Sequence, residues 1–210
     1  MIKIFIADDH PIVLQGVRQM LSTINDVMVV GEARNSTELL DKLVKTSCDI
    51  LIMDIKMPDR NGLDLLLQIR HDYPHLAVLI LSMYPEEQYG PRYLRAGAAG
   101  YLNKESSSNE LINALRRITD GAKYISPNLA EALLSELEIE HPEVAHEVLS
   151  DREFEILCRI VAGKEIEEIA AELCVSTSTI RTYKSRILQK MQMKNKTELI
   201  RYALSHHLIE

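Results

Sequence analysis

The sequence predicts an α/β domain built on a doubly wound, five-stranded parallel sheet, followed by a smaller all-α domain. Three observations predict it. Five short apolar runs within the first 120 residues alternate with helical patterns, the order expected of parallel strands joined by crossover helices on both faces of a sheet. Beyond residue 121 no strand-like run recurs and helical periodicity takes over. Between the two lies an acidic spacer, residues 121–149, with one basic and six acidic side chains.

The first strand covers residues 2–7 and is closed by Asp8 and Asp9; the second covers 27–31. Asn35 followed by Glu38 has the spacing of a helix N-cap and its N3 carboxylate. The third strand, 50–53, ends at Asp54. The fourth, 78–81, precedes Ser82, and a weaker fifth, 100–102, precedes Lys104. Ser107 with Glu110 opens the last helix of this domain and Gly121 ends it. Ser126-Pro127 starts a short helix through Leu137, and 138–147 is an acidic linker interrupted by Pro142. Ser150 and Glu153 form a Ser-x-x-Glu capping box, after which four helices fit: 151–162 ending at Gly163, 166–173, 177–192 and 197–207. The domains so drawn are 1–120, a linker with one short helix at 121–148, and 149–210.

Composition narrows the class. A chain that is 46% hydrophobic and 26% charged is globular rather than disordered. Its N-terminal apolar run is too short for a signal peptide or a membrane span, and no later run reaches ~18 apolar residues, so no membrane partner is expected. Cys48, Cys158 and Cys174 are odd in number and lack metal-ligand spacing, which predicts buried reduced thiols and a cytoplasmic location. The net charge of −7 is unevenly spread. Residues 173–197 hold Arg181, Lys184, Arg186, Lys190, Lys194 and Lys196 without one acid. That is the electrostatic footprint of phosphate-backbone contact, with a solvated helix face as the alternative.

Ligands of a doubly wound sheet bind at the carboxyl ends of its strands, so Asp8, Asp9 and Asp54 look like a divalent-cation site with a spare oxygen. Mg2+ takes octahedral oxygen ligands and keeps water, which one or two carboxylates and a carbonyl satisfy. Such a metal would bring a phosphoryl group beside a carboxylate nucleophile by offsetting the repulsion between them. In a 2-1-3-4-5 sheet the third strand is central, which makes Asp54 the nucleophile and Asp8 and Asp9 the metal side. Ser82 supplies a hydroxyl donor and Lys104 a cation for phosphate oxygens. Each residue alone reads more readily as a cap, a turn residue or a snorkelling lysine; their joint placement at one sheet edge is what carries the reading.

Asp8-Asp9 after the first strand, Asp54 followed by Met57-Pro58 and Gly62, Ser82 after LAVLIL, and AGAAGYLNK ending in Lys104 resemble the receiver domain of two-component response regulators, a flavodoxin-like fold. The resemblance covers residues 1–120. It implies that Asp54 accepts a phosphoryl group from a histidine kinase or phosphotransfer protein, with Mg2+ held by Asp9, Asp54 and the Lys56 carbonyl, and by Asp8 partly through water. It also implies that Ser82 and Lys104 grip the phosphoryl oxygens, and that Tyr101 rotates inward as a switch; plain core is the other reading of that ring. Two departures stand out. Gly90-Pro91 predicts that the fourth helix starts near Pro91, and the bulk of Tyr84 suggests shielding of the acyl phosphate from water.

In the last domain, at about 100° per residue, Ile180, Ile187 and Met191 share one stripe. Ser178, Arg181, Thr182, Ser185 and Gln189 fall on the opposite side. The first set should pack, and the second can reach base edges, with Arg181 suited to guanine and Lys184 and Arg186 towards the phosphates. A short helix at 166–173, a turn at 174–176 and this helix have helix-turn-helix proportions. From Leu149 through Glu168-Ile-Ala-Ala-Glu-Leu and Ser176-Thr-Ser-Thr-Ile-Arg to Leu208 the run resembles the LuxR-type output domain of NarL/FixJ response regulators. That resemblance implies Arg181 and Thr182 as base readers of double-stranded DNA, Lys184, Ser185 and Arg186 as neighbouring contacts, and helix 197–207 as a homodimer face. Ile180, Arg181 and Tyr183 depart from the residues usual there, and Glu165, Glu167 and Glu168 load the preceding helix with acid.

The expected protein is therefore a phosphorylation-switched DNA-binding transcription regulator, not a turnover enzyme. An aspartyl-phosphate hydrolase would usually place a second carboxylate two residues after its nucleophile, where His10 and Lys56 stand. A DNA-binding protein whose receiver works without phosphate is the remaining alternative.

Overall fold

The computed structural model describes residues 1–137, 145–206 and 208, which form two compact units, Met1–Ala132 and Leu133–Glu210. Unit one follows the expected alternation: β1 Ile2–Ala7, α1 Pro11–Leu21, β2 Val27–Ala33, α2 Ser36–Leu43, β3 Ile50–Met53, β4 Lys56–Met57, β5 Arg60–Asn61, α3 Gly62–Asp72, β6 Ala77–Ser82, α4 Glu86–Arg95, β7 Gly100–Asn103 and α5 Ser108–Thr119. The main sheet is parallel with order β2-β1-β3-β6-β7. Strand order reverses between β1 and β3, where the crevice of such a sheet opens.

The strands are apolar on both sides because helices cover both faces. Ile4, Ile6, Ile50, Ile52, Leu79 and Leu81 pack with Leu14, Val17, Leu111 and Leu115 from α1 and α5. The alternate residues Phe5, Leu51, Met53, Val78, Ile80 and Tyr101 are equally buried and face the other way. Asn35 caps α2 by accepting from Glu38 N–H, and Ser107 and Glu110 form the full reciprocal box on α5. Gly121, at φ +80°, ends the turn after α5. The chain then returns beside β7 through a parallel bridge between Gly100 and Tyr124.

Three features differ from the sequence expectation. β2 runs two residues further, to Ala33. Lys56–Met57 and Arg60–Asn61 form a two-rung antiparallel hairpin after β3, held at its tip because Asp59 accepts from the Ser36 and Thr37 N–H groups and the Thr37 hydroxyl. The third concerns α4. It begins at Glu86, not near Pro91, and Gly90-Pro91 lies inside it. Proline in a helix interior costs about 3 kcal/mol. Tyr89 and Tyr93 on the same helix are buried, and at 150 Å² or more per ring, burial of each contributes about 4 kcal/mol. Packing outweighs the break.

α6, Pro127–Leu137, follows Ser126, whose hydroxyl accepts from Leu129 N–H and donates to Glu86. The acidic stretch expected at 138–147 falls largely outside the described residues; its end forms a 3-10 turn, Ala145–Val148. The second unit then continues with α7 Asp151–Val161, α8 Ile166–Glu172, α9 Thr177–Lys190 and α10 Lys196–Ser205. Ser150 and Glu153 make the anticipated box, and Gly163 has φ +91° beyond α7. α10 starts one residue early because Asn195 caps it, and ends at Ser205; position 207, the far end expected for it, lies outside the described residues. Phe154, Leu157, Ile169, Ile180, Ile187 and Leu199 form the buried interior.

All three cysteines are free, as expected, but they are not buried: Cys48 and Cys158 are half-buried and Cys174 is exposed. Cys174 has φ +53° in the turn between α8 and α9, and the tight turn keeps it at the surface.

Candidate functional site

Backbone ladders bring four strand ends together. Asp54 N–H donates to the Ala7 carbonyl at 2.9 Å, Asp8 N–H to Ala33 at 3.0 Å and Lys104 N–H to Ser82 at 2.8 Å, so the hydrogen-bond pattern runs one residue past each strand. The residues just beyond β1, β3 and β7 are thereby fixed at one edge, with Ser82 closing β6 between them.

The Lys104 ammonium lies 2.7 Å from Asp8 Oδ2 and 2.6 Å from Asp54 Oδ2, and all three side chains are under one-tenth exposed. Burial works against the Lys104 charge, yet the charge and hydrogen bonds of Asp54 and Asp8 prevail and raise its pKa above the ordinary value. Asp8 Oδ1 accepts from His10 N–H at 2.9 Å, and Asp54 Oδ1 accepts from Lys56 N–H at 3.2 Å. His10 Nδ1 stands 2.6 Å from Asp9 Oδ1, but no donor hydrogen is aimed at that buried oxygen, which makes it a candidate ligand atom.

Ligand atoms of Asp8, Asp9, His10 and Asp54 all lie within 4.8 Å of one another. Three carboxylates face one ammonium here, and a hard divalent cation fits both the charge and the oxygen donors. The cluster can coordinate a divalent metal. His10, the first residue before α1, is a member that sequence reasoning missed; it stands two residues after Asp8 and directly before Pro11, the first residue of the helix.

Ser82 is buried, and its Oγ accepts from Tyr84 N–H at 3.3 Å. Tyr101 is already fully buried, and its hydroxyl donates to the Tyr84 carbonyl at 3.0 Å. The Tyr84 ring stacks on Tyr89 of α4, with centroids 4.6 Å apart. Ser82, Tyr84, Tyr101 and α4 are thus one connected set. A wide cleft of about 1070 Å³ opens at the opposite end of the sheet, between residues 43–50 and 72–77, and contains none of these groups.

In the second unit Ile180, Ile187 and Met191 are buried, as the stripe predicts, while Arg181, Thr182, Ser185 and Arg186 are exposed and Lys184 is partly so. Ser176 caps α9 by accepting from Thr179 N–H. Arg181 lies 3.6 Å from Glu167 of α8, Lys196 3.9 Å from Glu165, and Lys190 2.6 Å from the buried Glu153.

Residues 4–116 match the family model described as "Response regulator receiver domain", and residues 147–203 match "Bacterial regulatory proteins, luxR family". The chain belongs to the response regulators. The chain is similar to "Response regulator GacA" of Pseudomonas syringae, 34% identical over 213 residues, covering 100% of this chain and 99% of that protein. "Oxygen regulatory protein NreC" of Staphylococcus carnosus is 37% identical over 215 residues, 99% of each chain. Among solved structures, RcsB of Salmonella enterica serovar Typhimurium, bound to promoter rprA with the phosphomimetic BeF3−, superposes with a TM-score of 0.61 at 31% identity, covering 98% of this chain and 99% of that one. A structure of two RcsB dimers on two parallel DNAs gives 0.62 at 31% identity, covering 97% and 98%.

A response regulator of this build is a transcription regulator whose DNA-binding output is driven by phosphorylation. It relays a phosphoryl group and is not a turnover enzyme. Among the described residues no helix is long and apolar enough to cross a membrane.

Proposed function

We propose that Asp54 is the phosphoacceptor and that its donor is a sensor histidine kinase or a phosphotransfer protein. The observation that carries this is the Lys104 bridge between Asp54 and Asp8 within a cluster of carboxylates. An Asp54 oxygen attacks phosphorus as the donor's phosphorus–nitrogen bond breaks, and the imidazole leaves with the electron pair. Bound Mg2+ supplies charge neutralisation between the nucleophile and the incoming phosphoryl oxygens. Asp8, Asp9, Asp54 and the Lys56 carbonyl would hold it. Lys104 then exchanges its contact with Asp54 for a phosphoryl oxygen, and the Ser82 hydroxyl takes another.

Tyr101 is the switch on this reading. Its hydroxyl is bonded to the Tyr84 carbonyl, two residues after Ser82, so drawing Ser82 towards a phosphoryl group also moves the residue that holds the ring. Arg181 and Thr182 read bases, and Lys184, Ser185 and Arg186 contact the groove or the phosphates of double-stranded DNA. The RcsB complexes on DNA support a homodimer that meets half-sites about one turn apart. The division 1–120, 121–148 and 149–210, and residence in the cytoplasm, belong to the same proposal.

Intact-mass spectrometry after incubation with acetyl phosphate and Mg2+ tests the acceptor: one phosphoryl adduct is expected, lost in Asp54→Asn. Persistence of the adduct at full occupancy in that variant removes the assignment. Arg181→Ala should weaken operator binding by roughly 1–3 kcal/mol.

A further inference from the structure

The stripe 173–197 holds six cations, and glutamates from the preceding helices engage half of them. Glu153, Glu167 and Glu165 face Lys190, Arg181 and Lys196 respectively. Among the described residues, Lys184, Arg186 and Lys194 have no carboxylate within 4.0 Å. The three glutamates differ in kind. Glu153 is buried and belongs to the α7 cap, where it accepts from Ser150 N–H. Glu165 and Glu167 are about two-thirds exposed or more, and among the described residues Arg181 is the one cation within 4.0 Å of the Glu167 carboxylate. Glu165 is the N-cap of α8 and donates its N–H to the Glu168 carboxylate in a capping box, so its exposed carboxylate serves both the helix start and Lys196.

From this we propose that Glu165 and Glu167 are specificity-determining residues of DNA recognition. They occupy Arg181 of the α9 recognition face and Lys196, which opens α10 in the same basic stripe, so that duplexes of arbitrary sequence bind poorly. Non-specific affinity comes almost wholly from cations that replace counterions on phosphates. A phosphate must compete with the nearby glutamate for Arg181 or Lys196, and each glutamate is itself repelled by the backbone. A guanine offers Arg181 two acceptors in fixed geometry and compensates for the lost partner, whereas a lone phosphate does so less well. Glu167 is thus a positioning residue acting through Arg181, and the discrimination arises as much from weakening wrong sites as from strengthening right ones. The inference rests on the reading that α9 faces DNA.

The test measures fluorescence anisotropy of a labelled duplex of unrelated sequence, titrated with the full-length protein between ~50 and ~200 mM salt. The variants are Glu167→Gln, Glu165→Gln, the double variant, Arg181→Ala, Lys184→Ala, and Arg181→Ala combined with Glu167→Gln. An exposed pair of this kind predicts a gain in non-specific affinity of roughly 1.5- to 5-fold for each glutamine, larger at low salt. The double variant should show a steeper salt dependence. In the Arg181→Ala background, Glu167→Gln should give less than half of its gain. Unchanged affinity and slope in the double variant overturn the proposal, and an undiminished Glu167→Gln gain without Arg181 overturns the route through that residue. If Arg181→Ala and Lys184→Ala leave binding unaltered, the DNA-facing reading of α9 fails instead, a separate outcome.

Discussion

Lys104→Met removes one ammonium and keeps the length of the side chain. In the native pocket that ammonium contacts Asp8 and Asp54, both about 3% exposed, and its loss leaves two buried carboxylates facing each other. Breaking a buried pair in this way costs 3–5 kcal/mol when the pocket is dry. Here the Asp9 side chain, 31% exposed, opens one wall to water, which reduces the expected loss to about 2–3 kcal/mol. A divalent cation should restore a large part of it by taking over the neutralising charge. Hydrogen exchange of peptides spanning β3 and β6, with and without millimolar Mg2+, reads the receiver alone, whereas a denaturation curve would mix both units. A companion variant, Lys104→Met with Asp54→Asn, should recover about 1–3 kcal/mol of the loss, because the repulsion disappears with the acceptor's charge. If Lys104→Met shifts opening by less than ~0.5 kcal/mol, the value typical of an indifferent surface substitution, the ammonium does not hold the acids together.

Gly62→Ala would place a Cβ 2.4 Å from the Ile55 carbonyl oxygen. Backbone cannot yield there without moving the loop that carries Asp54, so we expect a loss of roughly 1–3 kcal/mol together with weaker Mg2+ binding by calorimetry. Glu153 pays a burial cost that raises its pKa, but the Lys190 ammonium and the Ser150 donors outweigh it and hold the pKa below the ordinary value. Its contribution is therefore complete above the unfolded carboxyl value near 4.3 and disappears as pH falls through the lower folded value; Glu153→Gln should flatten the acid limb of output-domain stability, and an unchanged limb would refute the assignment. Tyr84→Ala should speed loss of the phosphoryl group, measured by decay of the mass adduct, if the ring beside the β6–α4 turn excludes water.

The strand ends were legible because the apolar runs stop at Asp8, Asp54 and Ser82 and one residue short of Lys104, and parallel alternation brings such ends to one edge. Caps at Asn35, Ser107 and Ser150 were legible because they are local. The start of α4 was not, since the backbone rule for Pro91 is local while the burial of Tyr89 and Tyr93 that overrides it is tertiary. Asp59 reaching the N-terminus of α2 spans more than twenty residues and carries no periodic signal. His10 reads in the sequence only as the residue two positions after Asp8 and not as a cluster member, because its approach to Asp9 depends on how the turn into α1 closes, which spacing alone does not specify.

The order of the strand ends along the chain has a consequence for synthesis. Lys104 is the last of the pocket residues to be made, and the stripe at 173–197 follows some seventy residues later. Domains made on the ribosome tend to fold in the order in which they emerge. A receiver interrupted before its fifth main strand would lack the cation that steadies its acids, and would also lack every helix of the output unit. Input control is therefore in place before there is any output to control, and premature termination gives a silent fragment rather than an unregulated one.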